Sequence, residues 1–491
     1  MDKIEINPKD EVYVKIECDR GLAQELSDYF TFEVPGAKFM PSYKNRMWDG
    51  KIRLFNTASH TLYKGLLARV KKFCQDRNYE CVVHGGLLDV NDVPLNDLEE
   101  FLEGKYTPRD YQLRAVAHAL RSSRALILSP TASGKSFIIY CILKYLLTQE
   151  CLKALVIVPT TSLVHQMNTD FKEYSETVHG ESTHLIMEGQ EKNNDKAKIF
   201  ISTWQSIYKQ PKKWFDQFDV VVGDEAHQFK ATSLTKIMTK LDQCKYRFGL
   251  TGTLDGTQTN RLVLEGLFGP VMKVVETKEL IEQGTLSDFR IKALVLKYPE
   301  AICKQMKKSS YQDEIQFLIA NEYRNNFIKN LALTREGNTL VLYQMVEKHG
   351  EVLYNLMNKS SKNAREVFFV HGGVDANTRE EIRHRVEQSD NAIIVASYGT
   401  FSTGINIRNL HNVIFASPSK SRVRNLQSIG RALRKSESKE CATLYDISDD
   451  LSYKSHNNHT IKHFAERVKI YNEEEFEYKI YNIKVGNELN H

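Results

Sequence analysis

Short, continuous apolar runs recur along the middle of the chain, at residues 125–128, 154–158, 198–201, 220–222 and 248–250. Amphipathic stretches separate them. Runs of this length predict buried parallel strands joined by crossover helices. The pattern resumes at 339–343, 367–370, 392–395 and 413–416 after a less patterned connection from 254 to 338. The chain therefore reads as two α/β units, each a parallel sheet with flanking helices. Ahead of them, Gly36, Pro41 and Gly50 punctuate a polar stretch and predict strands and turns, as in a small α+β domain. A short helix is expected over 97–106, with Leu98, Phe101 and Leu102 apolar, and Thr107-Pro108 ends it. The expected organisation is an N-terminal domain over 1–104, α/β domains over 105–285 and 286–455, and a polar, aromatic, partly helical accessory segment over 456–491.

Size and composition fit that picture. A chain of 491 residues exceeds a single core, so about three domains are expected. Hydrophobic residues at 41% and charged residues at 26% describe an ordinary water-soluble protein. No apolar run approaches the roughly 20 residues that span a bilayer, and the first ten residues are too polar and acidic for a secretory signal. The eight cysteines are scattered with no Cys-x-x-Cys pair, which disfavours a zinc site and suits reduced thiols in a cytoplasm.

The net charge of +5 says little about partners, but its distribution says more. Lys38, Lys44, Arg46, Lys51, Arg53, Lys64, Arg69, Lys71 and Lys72 lie between positions 37 and 72, where Asp49 is the one acid. Phe39, Tyr43, Trp48 and Phe55 are interleaved with them. This composition suits a surface that meets phosphates and stacks on bases, with Lys44, Arg46, Trp48, Lys51 and Arg53 at its centre. It equally describes a solvated basic face over a small aromatic core.

Three motifs carry chemistry. Ser129-Pro130-Thr131-Ala132-Ser133-Gly134-Lys135-Ser136 follows one apolar run and opens an apolar helix, the context a phosphate-binding loop requires. Its backbone amides and helix N-terminus face an anion. Lys135 supplies a point charge to the β- and γ-phosphates, and Ser136 offers a hydroxyl to Mg2+. Ser129 stands where the usual first glycine would be. Asp224-Glu225 ends the run Val220-Val221-Val222-Gly223, where open α/β sheets place ligands. Asp224 is expected to hold Mg2+, and Glu225 to orient and deprotonate a water. In Gln427-Ser428-Ile429-Gly430-Arg431-Ala432-Leu433-Arg434, the two arginines would share a helix face and suit a charged transition state. Together the three specify nucleotide hydrolysis at a cleft between two domains.

Eight motifs occur in order: Arg109-Asp110-Tyr111-Gln112, Pro130 to Ser136, Val158-Pro159-Thr160-Thr161, Ser202-Thr203-Trp204-Gln205, Asp224-Glu225-Ala226-His227, Leu250-Thr251-Gly252-Thr253, Ser402-Thr403-Gly404-Ile405-Asn406, and Gln427 to Arg434. On these the chain resembles the superfamily 2 helicases of the DEAH-box type, with two tandem RecA-like domains. It is more closely similar to the UvsW-type recombination helicases of T-even bacteriophages. That likeness rests on Arg46-Met47-Trp48-Asp49-Gly50-Lys51-Ile52-Arg53-Leu54, Gln210-Pro211-Lys212-Lys213-Trp214-Phe215 and residues 394–404, and it thins after about Leu451.

The resemblance implies an ATP- and Mg2+-dependent, 3′-to-5′ DNA helicase of a host-cell cytoplasm. Its implied substrates are forks, Holliday junctions, D-loops and R-loops, with branch migration, fork regression and annealing in recombination-dependent replication and repair. Single-stranded DNA, RNA within R-loops, and single-strand-binding and recombination proteins are the implied partners, and a monomer or weak association the implied state. Arg109 and Gln112 resemble an adenine-reading motif. Thr131, Ala132, Ser133, Gly134, Lys135 and Ser136 resemble the phosphate loop. Gly404 and Asn406 resemble the second domain's ATP-facing motif. Thr160, Thr203 and Thr403 resemble contacts to the DNA backbone, and Thr251, Thr253 and Gln427 resemble residues that couple hydrolysis to movement. Ala132 and Asn406 depart from the glycine and aspartate common in relatives. Motif chemistry leaves an RNA helicase, a duplex translocase without branch preference, and a restriction-system motor as alternatives, because such contacts are mostly to phosphates. A pure ATP-gated clamp fits less well, since it needs no water activator and no arginine finger.

Overall fold

The computed structural model describes residues 3–34, 36–130, 133–149, 152–175, 183–228, 231–254, 258–361, 364–404, 407, 409–417, 421, 428–430 and 441–485. The chain divides into two compact units. One comprises Met1–Ser129 and Gly134–Val274; the other comprises Pro130–Ser133 and Val275–His491. Among the described residues no helix is long and apolar enough to cross a membrane.

The first unit is built on a seven-stranded parallel sheet. Its order is Val271–Lys273, Arg124–Leu128, Tyr246–Thr251, Val220–Gly223, Ala154–Val158, Ile199–Thr203, Thr183–Ile186. Every residue of Ala154–Val158 has no exposed surface, and Val220, Val221 and Val222 are equally buried. Burial on both faces is why these strands are uninterrupted apolar runs. Each such valine, leucine or isoleucine contributes about 1.5–3 kcal/mol of hydrophobic free energy. Because all seven strands run the same way, Thr203 and Thr251 end their strands at one edge of the sheet. Ser129 and Asp224 directly follow their own strands at that same edge.

The N-terminal region adds a four-stranded sheet, in order Thr61–Tyr63, Tyr13–Glu17, Lys3–Pro8, Glu80–Val83, with helices Arg20–Tyr29 and Leu67–Arg77. The second helix lies where strands and turns were expected. Its spacing of Leu67, Val70, Phe73 and Cys74 puts one apolar stripe into the core. Ile4, Ile6, Val14, Ile16 and Phe30 share one continuous apolar cluster with Leu155, Phe200 and Leu267 of the larger sheet's layers. Polar contacts reinforce the junction. The Arg69 guanidinium grips Glu265 at 2.5 and 2.8 Å, and Glu11 accepts from Lys64 at 2.8 Å and Arg124 at 3.0 Å. Gly65 lies so close that an added Cβ would sit 2.1 Å from the Glu265 carbonyl. Residues 1–104 thus pack as part of the first unit, and Lys64 and Arg69 of the basic stretch serve that packing.

The second unit holds another seven-stranded parallel sheet: Val367–Val370, Ile393–Ser397, Thr339–Tyr343, Asn412–Phe415, Cys441–Asp450, Asp288–Lys297, Tyr478–Lys484. Both sheets with their flanking helices are RecA-like. The segment expected as an accessory piece over 456–491 holds the helix His459–Glu473 and the edge strand Tyr478–Lys484. Arg467 on that helix is fully buried and holds Asp446 Oδ1 at 2.8 Å and Ser448 Oγ at 2.6 Å, while Tyr471 Oη donates to Asp446 Oδ2 at 2.9 Å. Glu314 caps the same helix, accepting from the backbone amides of His459 at 2.9 Å and Thr460 at 2.7 Å. The long stretch of the second compact unit begins at Val275. The helix Thr277–Glu282 is tied to the C-terminal segment by Lys278–Glu475 at 2.7 Å, with Leu280 fully buried.

Candidate nucleotide site

The phosphate loop forms as its local sequence dictates. The strand Arg124–Leu128 delivers Ser129, whose amide donates to the Thr251 carbonyl at 2.9 Å. Ser133 Oγ closes the turn on the Pro130 carbonyl at 2.6 Å. Gly134 has φ +81°, a left-handed conformation that a side chain would strain, and an added Cβ would lie 2.4 Å from Gln112 Nε2. The helix Lys135–Gln149 then begins, so its unpaired amides and dipole face the loop. Thr131 and Ala132 lie outside the described residues.

Gln112 packs against this loop, and Arg109 packs against Gln112. Arg109 is the N-cap of the helix Asp110–Ser122, and Gln112 Oε1 accepts from the Arg109 amide at 3.0 Å. Arg109 Nη1 donates to Tyr111 Oη at 2.9 Å. Gln112 is buried against Gly134, which couples this motif to the loop by direct packing.

The acids meet the loop at the same sheet edge. Asp224 is 7% exposed; its amide donates to the Ile157 carbonyl, and its Oδ1 accepts from the Glu225 amide at 2.9 Å. Burial first, and the Glu225 charge second, push the Asp224 carboxyl up to about 7, with Lys135 opposing them. Glu225 has φ 48°, a left-handed turn that swings its side chain toward Lys135, whose Nζ lies 3.5 Å from Glu225 Oε1. Lys135 Nζ also donates to the Ser129 carbonyl at 3.4 Å. A buried carboxylate that is hard to charge, next to a second acid, offers hard oxygen donors of the kind a Mg2+ ion takes, and Ser136 at the start of the helix adds a hydroxyl. The residues present therefore fit that ion.

Two further residues join the site that sequence motifs left without a role. His227 Nδ1 lies 3.4 Å from Glu225 Oε2 and 2.5 Å from Thr251 Oγ1, and Thr251 Oγ1 in turn donates to the Thr253 carbonyl at 2.8 Å. His227 Nδ1 thus stands close to both Glu225 and the Thr251 hydroxyl, which donates on to the Thr253 carbonyl. Tyr174 Oη lies 2.9 Å from Ser136 Oγ, and burial pushes its phenol up to about 12, so it stays neutral. His227 was visible in the Asp-Glu-Ala-His motif. Tyr174 had no signal, since it arrives from the far end of the helix Thr161–Tyr174.

The remaining expected residues are more scattered. Thr160 caps the helix Thr161–Tyr174, with Leu163 N donating to its Oγ1 at 3.4 Å. Thr203 is 6% exposed and its hydroxyl lies 2.9 Å from Ser206 Oγ. Lys44, Arg46 and Lys51 are exposed, but Arg53 is paired with Asp49 at 2.5 Å, and Trp48 Nε1 donates to the Lys51 carbonyl at 2.8 Å. Thr403 and Gly404 end the helix Tyr398–Gly404 of the second unit. Asn406, Gln427, Arg431 and Arg434 lie outside the described residues.

Family models match three stretches: "DNA helicase UvsW, N-terminal" at residues 3–84, "Type III restriction enzyme, res subunit" at 105–256, and "Helicase conserved C-terminal domain" at 323–436. The ATP-dependent DNA helicase uvsW of Enterobacteria phage T4 is 34% identical over 499 residues, covering 97% of this chain and 98% of that protein. The crystal structure of T4 UvsW aligns with a TM-score of 0.53 at 33% identity, covering 98% of this chain and 99% of that one. The DNA 3'-5' translocase XPB2 of Sulfurisphaera tokodaii is 23% identical over 401 residues, covering 75% of this chain and 86% of that protein. With identity to the phage helicase sustained from end to end, and with two RecA-like sheets behind a phosphate loop and paired acids, this chain belongs to the UvsW family of ATP-dependent DNA helicases.

Proposed function

We propose that this helicase moves 3′-to-5′ along DNA and remodels branched DNA, migrating junctions and regressing forks in recombination-dependent replication and repair. The observation that carries the motor reading is the meeting of Lys135 with Glu225 at the sheet edge where the phosphate loop opens its helix. The polarity is supported by the name of the XPB2 relative, and the recombination role by resemblance to the UvsW-type enzymes.

In this mechanism the amides at the start of the helix Lys135–Gln149 and Lys135 hold the β- and γ-phosphates of ATP. Ser136 and Asp224 would hold Mg2+, which neutralises charge on the phosphate oxygens. Glu225 orients the attacking water and accepts its proton. The link through His227 reports the state of Glu225 to Thr251 and Thr253, which gives hydrolysis a route to the rest of the fold. Arg431 and Arg434 are proposed as the fingers that stabilise the transferred phosphoryl group. Thr160, Thr203 and Thr403 are proposed as the strand-gripping positions. The Thr203 hydroxyl also meets Ser206 Oγ at 2.9 Å, which orients it. A helicase or duplex translocase with no branch preference is the second reading.

The test is DNA-stimulated ATP hydrolysis by the wild type, with EDTA as a control. Hydrolysis that rises with DNA and stops on chelation supports the mechanism, and hydrolysis indifferent to DNA contradicts it.

A further inference from the structure

Residues 36–53 form a lobe that carries the two most exposed large apolar side chains among the described residues. Phe39 is 81% exposed and Met47 is 78% exposed. A single exposed apolar residue is ordinary, but two on one short lobe form a feature that asks for a partner.

The lobe is a folded frame, not a loose loop. Its base is the antiparallel pair Thr31–Glu33 with Lys51–Arg53. Gly50 has φ +79° and sits so tightly that an added Cβ would lie 3.0 Å from both Ala37 Cβ and Tyr43 Cδ2. The Val34 amide donates to the Gly50 carbonyl at 2.8 Å, the Met47 amide to the Ser42 carbonyl at 2.9 Å, and Trp48 Nε1 to the Lys51 carbonyl at 2.8 Å. Trp48 is therefore committed to the frame, while Phe39 and Met47 are held out from it.

Charge selects the partner. Lys38, Lys44, Arg46 and Lys51 are exposed and have no acidic partner among the described residues. Asp49 is taken up by Arg53. Uncompensated cations beside protruding apolar side chains match a ligand that alternates phosphates with flat, apolar faces. That is a nucleic acid whose bases are accessible. An intact duplex hides its base faces and offers them only where strands part.

Resting on the DNA-motor reading, we propose that Phe39 and Met47 form an apolar probe that abuts the last stacked bases where a duplex opens, while Lys38, Lys44, Arg46 and Lys51 hold the flanking phosphates. The probe gives the enzyme a direct means of distinguishing a branch from continuous duplex.

The experiment compares the full-length wild type with Phe39→Ala/Met47→Ala on a four-way junction, a continuous duplex of the same length and a single strand. A 2-aminopurine placed at the junction reports base contact. The expected result is a junction-to-duplex affinity ratio at least tenfold lower in the variant, together with loss of the wild-type fluorescence change. The slope of log affinity against log salt stays as in the wild type, because neither side chain is charged. Phe39→Trp should retain both the ratio and the signal, which separates removal of the stacking surface from a damaged fold. A double variant that keeps the junction preference and the fluorescence change overturns the proposal, as does loss of affinity on all three DNAs alike. A wild type whose hydrolysis ignores DNA contradicts the motor reading itself, so the two failures are distinct.

Discussion

Lys135 Nζ lies 3.5 Å from Glu225 Oε1, so the cation that opens the helix Lys135–Gln149 and the acid proposed to orient water already face each other at the sheet edge. Removing either end has different consequences. Lys135→Ala should lower ATP turnover at least about a hundredfold, the scale of removing a preorganised electrostatic donor, while leaving DNA affinity nearly intact. Glu225→Gln should bind ATP and hold it without turnover. Filter retention of labelled ATP beside steady-state hydrolysis checks both.

The placing of His227 beside both Glu225 and Thr251 predicts an uncoupled variant. Thr251→Val keeps the shape but removes the hydroxyl that His227 meets. Hydrolysis should fall less than about threefold, since the groups that stabilise the transition state stay in place, while strand opening per ATP should fall much further. Parallel measurement of phosphate release and duplex opening gives the ratio.

An arginine finger acts in the transition state, so its loss shows in kcat more than in KM. Arg434→Ala should reduce kcat by about 10³-fold or more with ATP affinity close to the wild type. Full activity in this variant would remove Arg434 from the mechanism.

Of the basic residues between positions 37 and 72, Lys38, Lys44, Arg46 and Lys51 have no acidic partner among the described residues, whereas Arg53, Lys64 and Arg69 are paired. Lys44→Ala/Arg46→Ala/Lys51→Ala should reduce the salt slope of DNA binding by about 2–3, close to one for each phosphate no longer neutralised. The same triple change at Arg53, Lys64 and Arg69 should cost stability first.

Glu314 is buried and accepts from Asn458, His459 and Thr460. Burial disfavours its charge, but these hydrogen bonds prevail and hold the carboxyl below the usual range. A depressed carboxyl stabilises the fold above its unfolded pKa, near 4.3, and that contribution disappears as pH falls through the folded value. Glu314→Gln should therefore destabilise the second unit by about 1.5–3 kcal/mol at neutral pH. The gap should narrow below about pH 4, where the wild-type carboxyl takes up a proton. Urea unfolding at pH 7 and pH 3.5, followed on the second unit, measures this.

The strands legible in the sequence were those buried on both faces, such as Ala154–Val158 and Thr339–Tyr343, because nothing polar interrupts them. Those overlooked have identifiable causes. Thr183–Ile186, Val271–Lys273 and Tyr478–Lys484 are edge strands with mixed exposure. Cys441–Asp450 is central, but it contains Asp446 and Asp449, and a strand with buried acids does not read as core. Their charges are met by Arg467 and Arg324, which come from distant helices and carry no local signal. The strand and helix on either side of residues 129–136, and the acids after Val220–Gly223, were legible because those patterns are local. The roles of His227 and Tyr174 depend on which strands and helices lie side by side, which only the fold reveals.

The most direct test of the central claim is ATP-driven branch migration of a synthetic four-way junction beside opening of a simple tailed duplex, with Lys135→Ala as control. The account predicts that the wild type resolves the junction faster than it opens the tailed duplex, and that the variant does neither. Opening of the tailed duplex with the junction left intact, or junction migration that persists in Lys135→Ala, would contradict it.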